Sequence, residues 1–106
     1  MPLYNLDNIA EKELLPGFFA KLIHGENLTT AHFRVTQGAE LPEHAHHHEQ
    51  ISRVLSGRFQ LTVGDHTEVM EPGKVYVIPS NVPHSGKALS DCIIMDVFSP
   101  AREDYK

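Results

Sequence analysis

The chain has little of what marks several large classes of protein. Its single cysteine, Cys92, excludes an internal disulfide bond. The net charge is -5 and no basic cluster is present, which argues against binding to nucleic acid or to an anionic membrane surface. The amino terminus has neither a basic-then-apolar signal segment nor an apolar run long enough to span a bilayer. We therefore expect a cytoplasmic protein that binds neither nucleic acid nor membranes.

The chain also lacks repeats, low-complexity segments and long linkers. With 106 residues, of which 41% are hydrophobic, it can build one core, so we expect a single domain over residues 1–106. Short apolar or β-branched runs alternate with turns such as Gly64-Asp65 and Pro72-Gly73. About eight to ten such runs predict an all-β sandwich or barrel. Residues 14–17 read as a turn, and residues 1–12 fit either a short helical turn or an edge strand.

The most unusual stretch is GAELPEHAHHHEQISRVLSG, residues 38–57, where four of the eight histidines fall within five residues. Its alternation is typical of a strand, which sends every second side chain to the same face. The residues expected on one face are His44, His46, His48 and Gln50. Imidazole is the commonest metal-ligand side chain near neutral pH, so the H-A-H spacing predicts that two rings converge on one metal ion.

A second segment, GKVYVIPSNVPH at residues 73–84, ends a β-branched run with two prolines and a histidine. Together the two segments resemble the two sequence motifs of the cupin superfamily. The residues that fall on the first motif are Gly38, His44, His46, Gln50 and Gly57. Those on the second motif are Gly73, Pro79 and His84, and the departures from it are Asn81 and Ala88. Gln50 stands where the family usually has a glutamate. The resemblance covers nearly the whole chain and implies a cupin double-stranded β-helix, a jelly-roll barrel around one ligand-sized cavity.

The third feature is the carboxyl-terminal segment DVFSPAREDY, residues 96–105. Asp96 interrupts an apolar strand, and its parity allows either the barrel interior or the solvent face; Arg102 alone would read as a surface charge. With the two motifs, this segment resembles a narrower group of small cupins that includes pectin-degradation enzymes acting on unsaturated uronates. The metal ligands implied by this resemblance are His44, His46, Gln50 and His84. The implied catalytic residues are Asp96, Phe98 and Arg102.

The resemblance implies one divalent transition-metal ion as cofactor. Imidazole suits zinc, nickel, iron and copper, and the amide oxygen of Gln50 also tolerates manganese. The implied reaction is ring opening and ketonisation of a 4,5-unsaturated uronate, an anionic sugar acid. Arg102 would pair with the substrate carboxylate, Asp96 would move a proton and Phe98 would pack on the ring. A cupin dioxygenase and a non-catalytic sugar-binding or small-molecule-binding protein are the alternatives, so the sequence favours an enzyme without settling the point.

The remaining expectations concern other histidines and assembly. His48 shares the parity of the implied ligands, and we expect it at the mouth of the cavity. His24, His32 and His66 lie away from both motifs and are expected to be surface or hydrogen-bonded residues. Apolar strands at both ends of the chain would leave exposed sheet edges, which predicts a homodimer that covers them.

Overall fold

The computed structural model describes residues 2–106, which form ten β-strands and two short 3-10 helices. The strands are β1 (Lys12–Leu15), β2 (Phe18–His24), β3 (Thr29–Val35), β4 (Glu40–His44), β5 (Glu49–Ser56), β6 (Phe59–Val63), β7 (His66–Met70), β8 (Val75–Ile78), β9 (His84–Ala88) and β10 (Cys92–Ser99). The 3-10 helices are Leu6–Asn8 and Glu103–Tyr105. No helix among these residues is long and apolar enough to cross a membrane.

The strands build two antiparallel sheets. One has six strands in the order β1-β2-β3-β10-β5-β8, and the other has four in the order β4-β9-β6-β7. After β3 the chain changes sheet at every connection except the one between β6 and β7. This repeated switching is the architecture of a jelly-roll barrel, so the predicted all-β fold is confirmed.

Strand β10, in the middle of the larger sheet, shows how the barrel interior is built. Its residues alternate between buried and less buried positions, as expected for a strand with one face toward the interior. The buried members are Cys92, Ile94, Asp96 and Phe98. Asp96 therefore faces the barrel interior, which resolves the alternative that its parity left open. It lies opposite Ala31 of β3 and Ser52 of β5.

The hydrophobic core fills the space between the sheets. Its buried members are Phe18, Val35, Val54, Phe59, Leu61, Val63, Met70, Ile78, Ala88, Cys92 and Ile94. The ring of Phe18 packs edge-on against Phe33 and Phe59, with ring centroids 6.3 and 6.2 Å apart. The Phe59 ring also lies directly against Gly86, where an added Cβ would clash with it. Glycine in β9 thus permits this close approach.

The histidine-rich stretch is not the single alternating segment that the sequence predicts. β4 ends at His44 in the smaller sheet, β5 begins at Glu49 in the larger one, and residues 45–48 cross between them. The pairing of β4 with β9 also shifts register between Leu41 and His44, around Pro42, which has no N–H to donate to a ladder. The prediction that His44, His46 and His48 share a face through strand parity is therefore wrong.

Two further local predictions need correction. Leu14 and Leu15, expected in a turn, end β1, and the turn is confined to residues 16–17. Strand β9 was not expected, because its sequence HSGKA contains no β-branched residue. Of residues 1–12, Met1 lies outside the described part of the chain. The helical-turn alternative is realised at Leu6–Asn8, where the Asn5 side chain accepts a hydrogen bond from the Asp7 backbone N–H.

Candidate metal centre

Three histidines converge inside the barrel from two neighbouring strands and a crossing segment. His44 ends β4 and pairs directly with His84 at the start of β9, while His46 lies in the segment after β4. One ring nitrogen from each histidine lies within 4.8 Å of the other two. The His84 ring centroid lies 4.2 Å from that of His44 and 5.0 Å from that of His46. This group could hold a metal ion.

The backbone fixes which ring nitrogen each histidine offers. The Nδ1 atoms of His44, His46 and His84 lie 3.0, 3.0 and 2.9 Å from the carbonyl oxygens of Pro42, His48 and Val82. A carbonyl oxygen can only accept a hydrogen bond, so each Nδ1 carries the proton and donates it. The lone pair is then on Nε2, the nitrogen that a metal would bind. Such outer partners commonly orient metal-binding histidines.

Gln50 adds an oxygen to the histidine group. Its side-chain Nε2 donates to Asp96 Oδ2 at 3.0 Å, and this bond defines which amide atom is nitrogen because a carboxylate oxygen accepts. The Gln50 Oε1 and the Nε2 atoms of His46 and His84 are buried without a hydrogen-bond partner. Buried polar atoms are normally satisfied, and a divalent cation would satisfy all three acceptors together. The residues therefore fit a metal ion.

The surroundings of two of these histidines, His46 and His84, keep their rings neutral. Burial, together with the positive charge of Arg102, lowers the pKa of His46 to about 4. Burial also lowers the pKa of His84. Metal ligation requires the unprotonated Nε2, so both rings are ready to act as ligands at neutral pH.

Asp96 is the buried carboxyl group beside this centre. Burial raises its pKa to about 7, and the neighbouring Ser52 hydroxyl and the Gln50 amide oppose that rise. Its Oδ1 is buried without a hydrogen-bond partner. A carboxyl group with a pKa near 7 can both hold and release a proton near neutral pH, which is what a general acid or base needs.

Arg102 is only 6% exposed, whereas the sequence around it alone predicts a surface charge. Its guanidinium lies over the rings of Phe98 and Tyr105, with Cζ 4.6 and 3.9 Å from their centroids. Its Nε and Nη2 donate to the two carboxylate oxygens of Asp104 at 2.9 and 2.8 Å. Its backbone N–H donates to the Thr29 hydroxyl at 2.8 Å. The guanidinium thus packs against two aromatic rings and forms an ion pair along one edge.

These groups line one cavity of about 480 Å³. The polar lining residues are His44, His46, Gln50, Ser52, His84, Asp96, Arg102, Asp104 and Tyr105. All seven residues implied by the family resemblance, including Phe98, are among its lining residues. The sequence missed Asp104, Tyr105 and Ser52. An Arg-x-Asp spacing carries no signal for contact, and only the turn at Glu103–Tyr105 brings Asp104 back to Arg102.

We expected His48 at the mouth of the cavity, but it is not among the residues that line the cavity. It is buried, with its ring stacked 4.0 Å from that of His47. Of the other histidines, His24 is hydrogen-bonded to Thr29 and His66 to Tyr76. These two are hydrogen-bonded as predicted, and they take no part in the three-histidine group.

An antiparallel barrel with histidines on the facing ends of two strands, beside an inward amide, is the arrangement of a cupin. The cupin domain family matches residues 31–98, and the chain belongs to this family. The pectin degradation protein KdgF of Dickeya dadantii is 28% identical over 102 residues, covering 93% of each chain.

Two solved structures are similar over the whole chain. The structure of KdgF from a Halomonas species has a TM-score of 0.93 and 27% identity, covering 100% of this chain and 99% of that one. An RmlC-like cupin from Shewanella frigidimarina has a TM-score of 0.94 and 27% identity, covering 100% and 96%.

The left-handed backbone of Asn81 accounts for one departure from the cupin motif. Asn81 has φ 65 and stands where the second motif has glycine. Asparagine tolerates this conformation better than most residues other than glycine. Its backbone N–H donates to the His46 carbonyl at 2.8 Å, so the turn also supports the segment that carries His46.

Proposed function

We propose that this cupin is a metal-dependent enzyme that opens and ketonises 4,5-unsaturated uronates, or carries out a related sugar-acid isomerisation. The observation that carries the proposal is the meeting, in one cavity, of three converging histidines, a buried carboxyl group whose pKa is raised to about 7 and a buried arginine. The similarity to two proteins named KdgF, one of them described as a pectin degradation protein, supports the same reading.

The proposed metal ligands are His44, His46, Gln50 and His84. Three imidazole rings and an amide add no negative charge, so the charge of a dication stays available to an anionic oxygen of the substrate. When bound, the ion would supply Lewis acidity. The donor set accepts zinc, nickel, iron, manganese or copper, and we propose one such ion per chain without choosing among them.

Arg102 is proposed to recognise the substrate carboxylate. The Asp104 carboxylate already takes the edge formed by Nε and Nη2. The end of the guanidinium, formed by Nη1 and the second hydrogen of Nη2, is left for a second carboxylate. The guanidinium lies over the Phe98 ring, so we propose that Phe98 supports Arg102 in addition to packing on the sugar ring.

Asp96 is proposed to move the proton. Opening the hemiacetal takes a proton from one oxygen, and ketonising the enol delivers a proton to carbon. A carboxyl group that is half protonated near neutral pH can perform both transfers. Its Oδ1 is not used by any hydrogen bond with protein groups, whereas Oδ2 is held by Gln50. No electron transfer to oxygen is required, which separates this proposal from a dioxygenase.

The test supplies unsaturated galacturonate or mannuronate monomers, made by lyase digestion, to the metal-loaded protein. Loss of the enol absorbance is followed against the spontaneous rate, with an oxygen electrode in the same cell. Acceleration without oxygen uptake is the expected result. No acceleration by fully metal-loaded protein contradicts the proposal. Oxygen uptake coupled to substrate loss would favour the dioxygenase, and saturable binding without conversion would favour a sugar-binding protein.

We also propose that the chain forms a homodimer in the cytoplasm. Several apolar residues stand on the outer face of the larger sheet near its β8 edge. They are Ile51, Val75, Val77 and Ile93, which are 41%, 58%, 52% and 41% exposed. Val77 pairs with Ile51 across β8 and β5, so part of this surface is continuous. A second copy would cover it, and a monomeric mass by light scattering at micromolar concentration would contradict the proposal.

A further inference from the structure

The cavity has an apolar half next to the metal centre. In the smaller sheet, Leu41 and Leu61 flank Gly86 from the two neighbouring strands. Gly86 follows His84 by two residues on the same strand. The row formed by Leu41, Gly86 and Leu61 therefore lies about 7 Å along the sheet from the paired His44 and His84. Leu41 is only half-buried and lines the cavity.

The larger sheet has a matching apolar row. Phe33 of β3 pairs with Ile94 of β10, and Ile94 precedes Asp96 by two residues on the inner face. Phe33 faces inward but is only half-buried, so part of its ring is exposed to the cavity. Leu14 and Leu15 of β1, also half-buried, complete this wall. One side of the cavity therefore offers charge and hydrogen bonds, and the adjoining side offers only hydrocarbon.

An unsaturated uronate is too small to fill the cavity, and its hydroxyl groups do not suit the apolar half. It has twelve non-hydrogen atoms, which occupy at most the liquid volume of twelve waters, about 360 Å³ at roughly 30 Å³ each. The cavity holds about 480 Å³. The ring also carries hydroxyl groups on most of its carbons, and these have no partners among Leu14, Phe33 and Leu41. Burying them there unpaired would be unfavourable.

We propose that the wall formed by Leu14, Leu15, Phe33 and Leu41 is a second subsite, which binds a compact apolar group attached to the anion held at the metal centre. The inference rests on the proposed function in one respect, namely that Arg102 and the metal centre hold a carboxylate head. The ligand class is a small 2-hydroxycarboxylate or uronate with an alkyl, aryl or acyl substituent. On a uronate the substituent is an ester on a ring hydroxyl other than the anomeric one, because ring opening needs the anomeric hydroxyl free.

A binding series tests the subsite without any turnover. The ligands are glycolate, 2-hydroxypropanoate, 2-hydroxybutanoate, 2-hydroxypentanoate and 2-hydroxyhexanoate, which share one head and differ in the length of an apolar arm. Dissociation constants are measured by isothermal titration calorimetry on the metal-loaded protein. Each CH₂ that enters the subsite should tighten binding about fourfold. A hydroxylated arm of matched length, as in 2,4-dihydroxybutanoate, should gain nothing over glycolate.

Substitutions then locate the effect. Leu41→Asn should flatten the dependence on arm length while leaving the affinity for glycolate unchanged. Leu14→Asn makes the same test on the other side of the wall, in case Leu41→Asn does not fold. The matched control is Leu55→Asn, which changes a 44% exposed leucine of β5 and should leave the slope intact. Circular dichroism and metal content verify that each variant is folded and loaded.

The outcomes separate this inference from the proposed function. Equal affinity along the series in the wild-type protein overturns the subsite, even if unsaturated uronates are converted. A slope that persists in both folded leucine variants also overturns it, because the apolar arm would then bind elsewhere. A slope that depends on Leu41 or Leu14, in a protein that leaves uronates unchanged, supports the subsite and contradicts the proposed reaction alone.

Discussion

The two polar sides of the cavity are held in place by different means. On the histidine side, each Nδ1 is tied to a main-chain carbonyl, so the barrel backbone itself sets the direction of the rings. On the carboxyl-terminal side, side chains hold Arg102: Asp104 pairs with one edge of the guanidinium, and the rings of Phe98 and Tyr105 pack against it. The first arrangement should survive the loss of a neighbouring side chain, whereas the second should depend on each of its members.

The largest effect should come from removing a histidine itself. His46→Ala deletes one of the buried Nε2 acceptors, and we expect it to abolish metal binding, whereas the wild-type protein should hold about one ion per chain. Inductively coupled plasma mass spectrometry of protein prepared without chelator gives the stoichiometry. His66→Ala is the control, because His66 is exposed and bonded to Tyr76. Full occupancy in the His46 variant would contradict the assignment.

Asp96→Asn should separate the reaction from the metal. The asparagine side-chain oxygen can still accept from Gln50, so metal content should stay at the wild-type level. The rate of enol loss should fall about a hundredfold to ten-thousandfold, the usual contribution of a general acid or base. Asp65→Asn, in an exposed turn, is the control. A variant that keeps more than a tenth of the wild-type rate would remove Asp96 from the proposed chemistry.

The carboxyl-terminal side should respond in a graded way. Arg102→Lys keeps the charge but loses the planar fork, so KM for the uronate should rise about tenfold or more with metal content unchanged. Asp104→Asn removes the negative charge that pairs with Arg102. Because the Asp104 side chain is 56% exposed, the effect should be smaller, and KM should rise about twofold to fivefold. Glu103→Gln, next to it, should have no effect. An Asp104 variant with wild-type KM would mean that the two rings alone hold Arg102.

The smallest effect should come from the turn beneath His46. At φ 65, alanine has the Cβ that disfavours this conformation but lacks the side-chain hydrogen bonding with which asparagine offsets it. Asn81→Ala should therefore lower the free energy of unfolding by about 1 kcal/mol. Asn81→Gly should match the wild type. Both variants should bind metal as the wild type does. The N–H at position 81 that bonds the His46 carbonyl is a main-chain group, and so is the His48 carbonyl that orients the His46 ring. Urea denaturation measures the first effect, and a metal titration measures the second.

The sequence was informative where local chemistry decides the structure. Strands β2, β3, β6 and β10 coincide with apolar or β-branched runs closed by turn residues, which is the pattern that predicts strands. β9 could not be predicted, because its conformation comes from pairing with β4 and β6 and not from its own residues. The same holds for residues 45–48, whose alternation is typical of a strand although they cross between sheets.

The site shows a similar division. The family resemblance implied the seven residues that the cavity brings together, four from the two motifs and three from the carboxyl-terminal segment, but it gave no arrangement among them. Strand parity alone grouped His48 with His44 and His46. Because the chain leaves β4 at His44 and enters β5 only at Glu49, parity does not apply there, and His48 lies outside the cavity lining. The pairing of Arg102 with Asp104 depends on one turn of 3-10 helix and on burial against Phe98, which only the folded barrel supplies.

The missing side chain at Gly86 also sets the size of the cavity. Because the Phe59 ring already occupies the place of a Cβ at position 86, any side chain there would have to displace that ring, which lines the cavity. Position 86 touches none of the proposed catalytic residues. Protein engineering could therefore change the volume of the cavity at this position. A methyl group added at position 86, combined with a smaller residue at position 59, should change the shape of the cavity and leave the proposed catalytic residues in place.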